Sequence, residues 1–170
     1  GRPGYVDRDA LKRWADCRES QSNLPRLIRR LIHETTPNLY ELDMPAGEGV
    51  AAGGWDGLVR SAEKTPWVAE GLSVWELSVS SNPKKKADDD YAKRTANPDG
   101  VRTSECTYVE VILRPWTTRN EWVESKRSEN VWKDVKALGL DEIEDWLEQA
   151  PVTGAWLSEQ CGLSPHGLRS

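Results

Sequence analysis

The chain has 170 residues, of which 37% are hydrophobic and 30% are charged, and its formal net charge is −5. This size and composition suit one soluble domain with a sizeable core. We expect neither a membrane anchor nor a signal peptide, because the sequence lacks a run of about 18 apolar residues and a charged start followed by an apolar stretch, and we predict a cytoplasmic protein with no membrane partner.

Helical patterns dominate the first part of the chain. Residues 7–19 contain helix formers with apolar positions at Leu11 and Trp14, which predicts a modest helix. A stronger amphipathic helix is predicted to open at Leu24-Pro25 and to stop at Thr35-Thr36-Pro37. Its apolar stripe, spaced three and four residues apart, consists of Leu24, Leu27, Ile28, Leu31 and Ile32.

Strand patterns follow. Residues 38–44 alternate weakly, and a glycine-rich turn separates them from residues 55–59, which predicts a β-hairpin. Residues 72–79 predict a third strand, because they contain β-branched residues and precede the breaker Ser80-Ser81-Asn82-Pro83. A short, charged helix is predicted over residues 85–94.

The second half is predicted to hold four elements after a turn at residues 97–100. In chain order they are a buried strand, a helix capped by Thr118, a short strand and a helix capped by Asp141, and they cover residues 107–113, 118–126, 131–135 and 142–148. The order α-β-β-β-α-β-α-β-α predicts a mixed sheet with helices on its faces, which is an α/β or α+β domain of three layers.

Two acids stand in strand-like segments that are otherwise apolar, Asp56 and Glu76. An ionised carboxylate on a buried strand is costly unless it has a partner, and a divalent cation is a common partner. Two such acids and a nearby lysine, as in residues 84–86, could hold Mg²⁺ and stabilise a phosphate, which predicts a metal-dependent nuclease. The alternative, which spacing alone favours, is that Asp56 makes a turn with Gly57 and that Glu76 lies on a solvated strand face.

Several short motifs, taken together, resemble the restriction-endonuclease-like PD-(D/E)xK nuclease superfamily, and especially the nuclease domains fused to bacterial anti-phage STAND-type NTPases. The motifs are Gly54-Trp55-Asp56-Gly57, Ser73-Val74-Trp75-Glu76-Leu77, Lys86-Ala87, Tyr91-Ala92-Lys93-Arg94, Arg114-Pro115-Trp116, Trp132-Lys133-Asp134-Val135 and Asp145-Trp146-Leu147-Glu148. The resemblance implies a three-layer restriction-endonuclease-like fold with a central mixed sheet. It divides the chain into an N-terminal helical extension (1–23), a nuclease domain (24–162) and a tail (163–170).

The resemblance also implies the metal ligands. Asp56 would be the first and Glu76 the second, with the backbone carbonyl of Leu77 as an extra ligand and Mg²⁺, or alternatively Mn²⁺, as the cofactor. Two acids that share a cation should converge, and in the metal-free protein their crowding should raise the pKa of at least one of them.

The expected catalytic lysine is displaced. In the superfamily it stands two residues after the glutamate, where this chain has Ser78. We therefore predict Lys86 as the catalytic lysine, with Lys93 as the second choice. The superfamily often carries a further glutamate on its first helix, for which Glu34 is the candidate, against the alternative of an ordinary solvated helix residue.

Basic residues are clustered although the chain is acidic overall. We predict that DNA phosphates contact Lys84, Lys85, Lys93, Arg94, Arg114 and Arg119, without base recognition and with double-stranded DNA as the favoured substrate. The net charge of −5 implies weak affinity alone. A fused or bound NTPase or sensor module and a homo-oligomeric active form would then supply avidity and control, as in the effector domain of an anti-phage defence protein.

The sequence contains nine tryptophans and no phenylalanine, so tryptophan must supply aromatic packing. We predict Trp75, Trp132 and Trp146 as core, with Trp116 as a weaker candidate for DNA contact. His33 is predicted to lie on a helix surface, and His166 is isolated.

Three cysteines without zinc-site spacing, Cys17, Cys106 and Cys161, predict reduced thiols.

Two alternatives to the nuclease stay open. One is a catalytically inactive version of the same fold that serves nucleic-acid binding or assembly. The other is a protein-interaction domain with a tryptophan-rich surface.

Overall fold

A computed structural model describes residues 6–47, 49–51 and 54–160. The helices are α1 (Arg8–Ala15), α2 (Ser20–Thr35), α3 (Pro83–Ala96), α4 (Arg119–Arg127), α5 (Leu140–Glu148) and α6 (Pro151–Gln160). The strands are β1 (Leu39–Asp43), β2 (Gly57–Ser61), β3 (Gly71–Ser78), β4 (Cys106–Ile112) and β5 (Asp134–Leu138), and a 3₁₀ turn covers Thr103–Glu105. The predicted tail at 163–170, Cys161 and His166 lie outside the described residues.

The five strands form one mixed sheet in the order β1-β2-β3-β4-β5. The β1–β2 and β2–β3 pairs are antiparallel, whereas β3–β4 and β4–β5 are parallel. Helices α3 and α4 make the crossovers that parallel strands require. The predicted mixed sheet with flanking helices is therefore confirmed.

A hydrophobic cluster lies on each face of the sheet. On one face Trp75 and Val109 pack with residues of α1, α2, α5 and α6, including Leu27 and Trp146. On the other face the aromatic residues dominate, and they are Trp55, Tyr91, Tyr108, Trp116, Trp122 and Trp132. The two clusters make the fold a three-layer arrangement, with the sheet between two groups of helices.

Most of the tryptophans are internal. Trp75, Trp132 and Trp146 are buried as predicted, and so is Trp116, the candidate for DNA contact. Seven of the nine tryptophans are buried, and Trp67 and Trp156 are half-buried. The chain therefore lacks the tryptophan-rich surface on which the interaction-domain alternative depended.

Helix α2 begins one turn earlier than predicted. The apolar stripe starts at Leu24, and Pro25 often marks a helix start, but the helix opens at Ser20 and Pro25 lies inside it. The Ser20 hydroxyl donates to the Ala15 carbonyl at 2.8 Å, which links this polar first turn to the end of α1. The predicted boundary between residues 23 and 24 thus falls within α2, and α1 packs against α5 in the main core.

Helix α6 was not predicted, and Glu34 caps it. The Glu34 carboxylate accepts hydrogen bonds from the backbone N–H groups of Val152 (2.9 Å) and Thr153 (2.7 Å) and from the Thr153 hydroxyl (2.7 Å). Burial opposes ionisation here, but these hydrogen bonds lower the pKa of Glu34 below its ordinary value. Glu34 therefore caps the start of α6. This role is neither that of the metal ligand suggested by the resemblance nor that of an ordinary solvated residue.

Strand β5 lies three residues later than predicted. Trp132 precedes it and is held in a loop, where its indole N–H donates to the Thr95 hydroxyl at 3.0 Å. As an edge strand, β5 has two carbonyls that accept from arginines of α4. Ala137 accepts from Arg119 at 2.7 Å, and Val135 accepts from Arg127 at 3.2 Å.

The two cysteines in the described ranges differ in exposure. Cys17 is an exposed free thiol and Cys106 a buried one, and His33 is exposed on α2 as predicted. Across the described ranges, none of the helices combines the length and apolar character that crossing a bilayer would require.

Candidate functional site

Asp56 and Glu76 meet at the end of the β2–β3 pair. Strand β3 continues past the start of β2, because Gly57 pairs with Trp75. The Asp56 carboxylate takes the place of a strand partner and accepts from the Leu77 N–H at 2.9 Å, while the Asp56 N–H donates to Glu76 Oε2 at 3.2 Å. Glu76 is only 6% exposed, so it does not lie on a solvated strand face. The structure thus brings the two predicted acids together.

Arg94 is a buried partner of Glu76. Its Nε donates to Glu76 Oε1 at 3.1 Å, its Nη2 donates to the Gly54 carbonyl, and its guanidinium carbon lies 4.7 Å from the centre of the Trp55 ring. Only 9% of Arg94 is exposed. Predicted as a DNA contact, this arginine is instead enclosed and neutralises a site carboxylate.

A second group of polar side chains lies beside this pair, on the face covered by α3. Lys86 donates to Asp90 at 2.9 Å, one helical turn along. Glu110 stands opposite Glu76 in the β3–β4 register, is fully buried, and accepts from the Tyr108 hydroxyl at 2.6 Å.

The charge of Lys86 also reaches the two predicted acids. Burial raises the pKa of Asp56, and the Lys86 charge is one of the contributions that oppose this rise. Asp90 and Glu110, followed by Glu76, raise the pKa of Lys86 against the effect of burial. Lys93, the second choice for the catalytic lysine, is exposed on α3. Of the two, Lys86 is the lysine electrostatically coupled to the site.

Three carboxyl groups here are harder to ionise than usual. Burial, followed by the charge of Asp56, raises the pKa of Glu76 to about 7, although Arg94 opposes the rise. Burial, followed by the nearby Asp90, also raises the pKa of Asp56 and holds that of Glu110 well above its usual range. The expected rise is present, but desolvation contributes more to it than crowding does.

The raised pKa of Glu76 predicts a specific pH dependence of stability. The folded protein holds this proton up to about pH 7, whereas the unfolded chain releases it near the ordinary value of 4.5. Because the folded state binds more protons between these values, the free energy of unfolding should fall as pH rises through this window and level off above it.

Relative to Glu76→Gln, the free energy of unfolding of the parent should fall by about 2.5 kcal/mol between about pH 5 and about pH 8, measured by urea denaturation with a chelator present. Asp56 and Glu110 contribute a trend of the same sign, which both proteins share. An equal pH dependence in parent and variant would show that Glu76 has an ordinary pKa in the fold.

A cavity of about 260 Å³ opens beside Asp56 on the α2 side of the sheet, lined also by Leu77, Gln21 and Arg18. The Gln21 amide N–H donates to the Leu77 carbonyl at 3.1 Å, and its oxygen accepts from the Val79 N–H at 3.0 Å. The carbonyl predicted as an extra metal ligand is therefore already engaged by Gln21, and Asp56 is the site acid that reaches solvent through this cavity.

The donor set fits a hard divalent cation held by few protein groups. In the part of the chain that the structure describes, no group of three or more His, Cys, Asp or Glu side chains is arranged to hold a metal. Mg²⁺ commonly binds through one or two carboxylates and keeps several waters, which Asp56 and Glu76 could satisfy. Of the two site acids, Glu76 is the one that pairs with Arg94. A bound divalent cation, as a positive charge additional to Arg94, would also reduce the cost of ionising two neighbouring acids.

The predicted DNA contacts divide into two groups. Lys84, Lys85 and Lys93 are exposed on α3, and the first two pair with Asp88 and Asp89 at 2.7 and 2.8 Å. Such exposed pairs are weak and could exchange for phosphates.

The arginines among these predicted contacts are already engaged. Arg114 pairs with Asp16 and donates hydrogen bonds to the carbonyls of Val79 and Ala15. These contacts link the end of α1 to the end of β3. Arg119 is bound to the β5 edge, and Arg94 is buried. Three of the six predicted contacts are therefore held in structural interactions.

Sequence reasoning missed Glu110, Asp90 and Gln21. A signal existed for Glu110, because it interrupts the apolar run Val109-Glu110-Val111 just as Glu76 interrupts its own strand. No comparable signal marks Gln21, which contacts β3 only through the tertiary fold.

Comparison of the chain with protein-family models, with curated proteins and with solved structures gave no match.

Proposed function

We propose that this chain is a magnesium-dependent phosphodiester hydrolase that cleaves DNA, as the effector domain of a bacterial anti-phage defence protein. We base the proposal on one observation, the hydrogen-bonded convergence of Asp56 and Glu76 at the end of β3, with the Lys86 charge coupled to both. Acids, an adjacent cation site and a lysine are the parts that phosphodiester hydrolysis needs.

Each residue has a role in this proposal. Asp56 and Glu76 would hold the metal, and Asp56, which lines the cavity, would be reached first. Bound Mg²⁺ would polarise a phosphate oxygen and lower the pKa of a water molecule. Lys86, half-buried and paired with Asp90, would turn to the phosphate and stabilise the charge that develops on it. Burial holds the pKa of Glu110 well above its usual range, which favours its neutral form and limits the negative charge of the cluster.

Plasmid and single-stranded DNA cleavage with and without Mg²⁺, on the free and on a deliberately clustered preparation, tests this function. A parallel readout does not depend on activity. At about pH 8, Mg²⁺ should raise the thermal midpoint of the parent and should do so far less in Asp56→Asn, because a ligand of the folded state stabilises it by mass action. Cleavage that persists in chelator would exclude the metal mechanism.

The catalytic lysine can be identified by a matched series on α3. Lys86→Ala should lower the cleavage rate by about a hundredfold, while Lys84→Ala and Lys93→Ala should each change it by less than about threefold. The reason is that Lys86 alone of the three is coupled to the site acids, and the loss should fall on the rate rather than on Mg²⁺ affinity. Equal small losses in all three variants would indicate a diffuse phosphate-contact surface.

The second candidate is a non-catalytic module of the same fold for nucleic-acid binding or assembly. Two observations favour it: Ser78 occupies the position of the superfamily lysine, and Arg94 already supplies a positive charge to Glu76. Such a module should bind DNA at low salt without cleaving it and should show no thermal shift with Mg²⁺ or Mn²⁺.

A further inference from the structure

A second cavity, of about 340 Å³, lies at the β5 edge of the sheet, between α4 and the segment that contains Trp67. We call it the β5 groove. Its lining includes the cations Arg119, Arg127 and Lys136, the acids Glu124 and Glu142, and Trp67. It shares no lining residue with the cavity beside Asp56. Strand β4 separates β5 from β3, so the groove lies about two strand spacings, roughly 10 Å, from the acid pair across the sheet.

The three cations differ in what neutralises them. Arg119 pairs with Glu142 at 3.2 Å, and Arg127 pairs with Glu124 at 3.2 Å and with Asp134 at 2.8 Å. Lys136 makes no ion pair with any described residue, and its ammonium donates only a long hydrogen bond of 3.4 Å to the Pro66 carbonyl. Among the described residues, the groove therefore contains one half-buried cation that has no ion-pair partner.

The surroundings of Lys136 favour an anion. Burial lowers the pKa of Lys136, and Asp134 offsets this only in part because Lys64 and Arg127 repel the ammonium. A half-buried ammonium among other cations is stabilised by any anion that can enter, and a phosphate offers several acceptor oxygens at once.

Trp67 supplies a fixed aromatic surface at the same place. Its ring stacks on that of Trp146, with centroids 5.4 Å apart and planes 7° from parallel. Trp67 is half-buried and lines both the β5 groove and a neighbouring open cavity, so part of the residue remains accessible. A rigid indole beside basic side chains is the combination that accepts a base and its phosphate.

We propose that the β5 groove binds a nucleotide, with a phosphate at Lys136 and the base against Trp67. The nucleotide is either free or part of a nucleic-acid strand, since both present the same chemistry. This site does not depend on the proposed hydrolase function, because it would bind its ligand whether or not Asp56 and Glu76 support cleavage.

Binding is measured in chelator, so that cleavage cannot interfere, with three probes: AMP, adenosine, and a labelled single-stranded oligothymidylate. Lys136→Gln removes the unpaired charge. Lys12→Gln is the matched control, because it removes the same charge from an exposed position on α1. Lys136→Gln should weaken AMP or oligonucleotide binding by about tenfold, whereas Lys12→Gln should change it by less than twofold and Lys136→Arg should restore most of it.

The probes separate the two sources of the ligand. Binding of AMP but not adenosine would establish a free-nucleotide site that requires the phosphate, and binding of the oligonucleotide alone would assign the groove to a strand. In either case the Trp67 indole N–H resonance should shift in the parent, and in Lys136→Gln it should shift only at about tenfold higher ligand concentration, with both proteins remaining folded. If no probe binds, or if Lys136→Gln and Lys12→Gln bind equally well, the proposal is overturned.

Discussion

Asp56→Asn should reduce Mg²⁺-dependent DNA cleavage by at least about a thousandfold while the protein stays folded. Asparagine keeps an oxygen that can accept from the Leu77 N–H, so the end of β3 remains supported, but it removes the charge that would bind the cation. The measurement is the initial rate of plasmid nicking at saturating Mg²⁺, together with the thermal midpoint of the metal-free variant.

Asp89→Asn is the matched control for this variant. Asp89 is an exposed acid on α3 that pairs with Lys85, and its loss should leave the rate within about twofold of the parent. If Asp56→Asn nicks DNA at the parental rate, Asp56 does not take part in the chemistry, and the non-catalytic alternative is favoured.

Arg94→Met should lower the free energy of unfolding by about 3 kcal/mol, because it leaves Glu76 buried without its charged partner. It also removes the hydrogen bond to the Gly54 carbonyl and the contact with the Trp55 ring. Urea denaturation at about pH 8 is the appropriate measurement, since Glu76 of the parent is mostly ionised there and its pair with Arg94 contributes most to stability.

An exposed ion pair provides the comparison for Arg94. Arg102 pairs with Glu105 at 3.4 Å, and its side chain is 86% exposed, so Arg102→Met should cost less than about 0.5 kcal/mol. The double variant Arg94→Met/Glu76→Gln should recover part of the lost stability, because the buried charge is then gone. Similar stabilities for Arg94→Met and Arg102→Met would mean that the Glu76–Arg94 pair contributes nothing to the fold.

The elements of the fold that could be predicted are mostly those that depend on local sequence patterns. The apolar stripe of α2 and the alternating or continuous apolar runs of the strands are properties of neighbouring residues, so they are visible before folding. Helix α6 was missed for the opposite reason. Its start is stabilised by Glu34, which is far away in sequence, and its own residues include Gly154, a poor helix former.

The candidate site was predictable only in its acids. A carboxylate inside an apolar strand is a local anomaly, and this marked Asp56 and Glu76. The partner of Glu76 was not predictable, because Arg94 looks like any surface residue of a charged helix until α3 is placed against β3. The same is true of Gln21, which reaches the Leu77 carbonyl from another layer of the fold.

The hydrogen bonds from Arg119 and Arg127 to the carbonyls of β5 affect how the molecule can associate with others. An edge strand with free carbonyls is a template on which another chain can add a strand, either as an intended partner or in aggregation. Here two of those acceptors are already occupied by guanidinium groups from α4. Strand addition at β5 would first have to displace both arginines, so this edge is protected from sheet extension and partners must approach it through side chains.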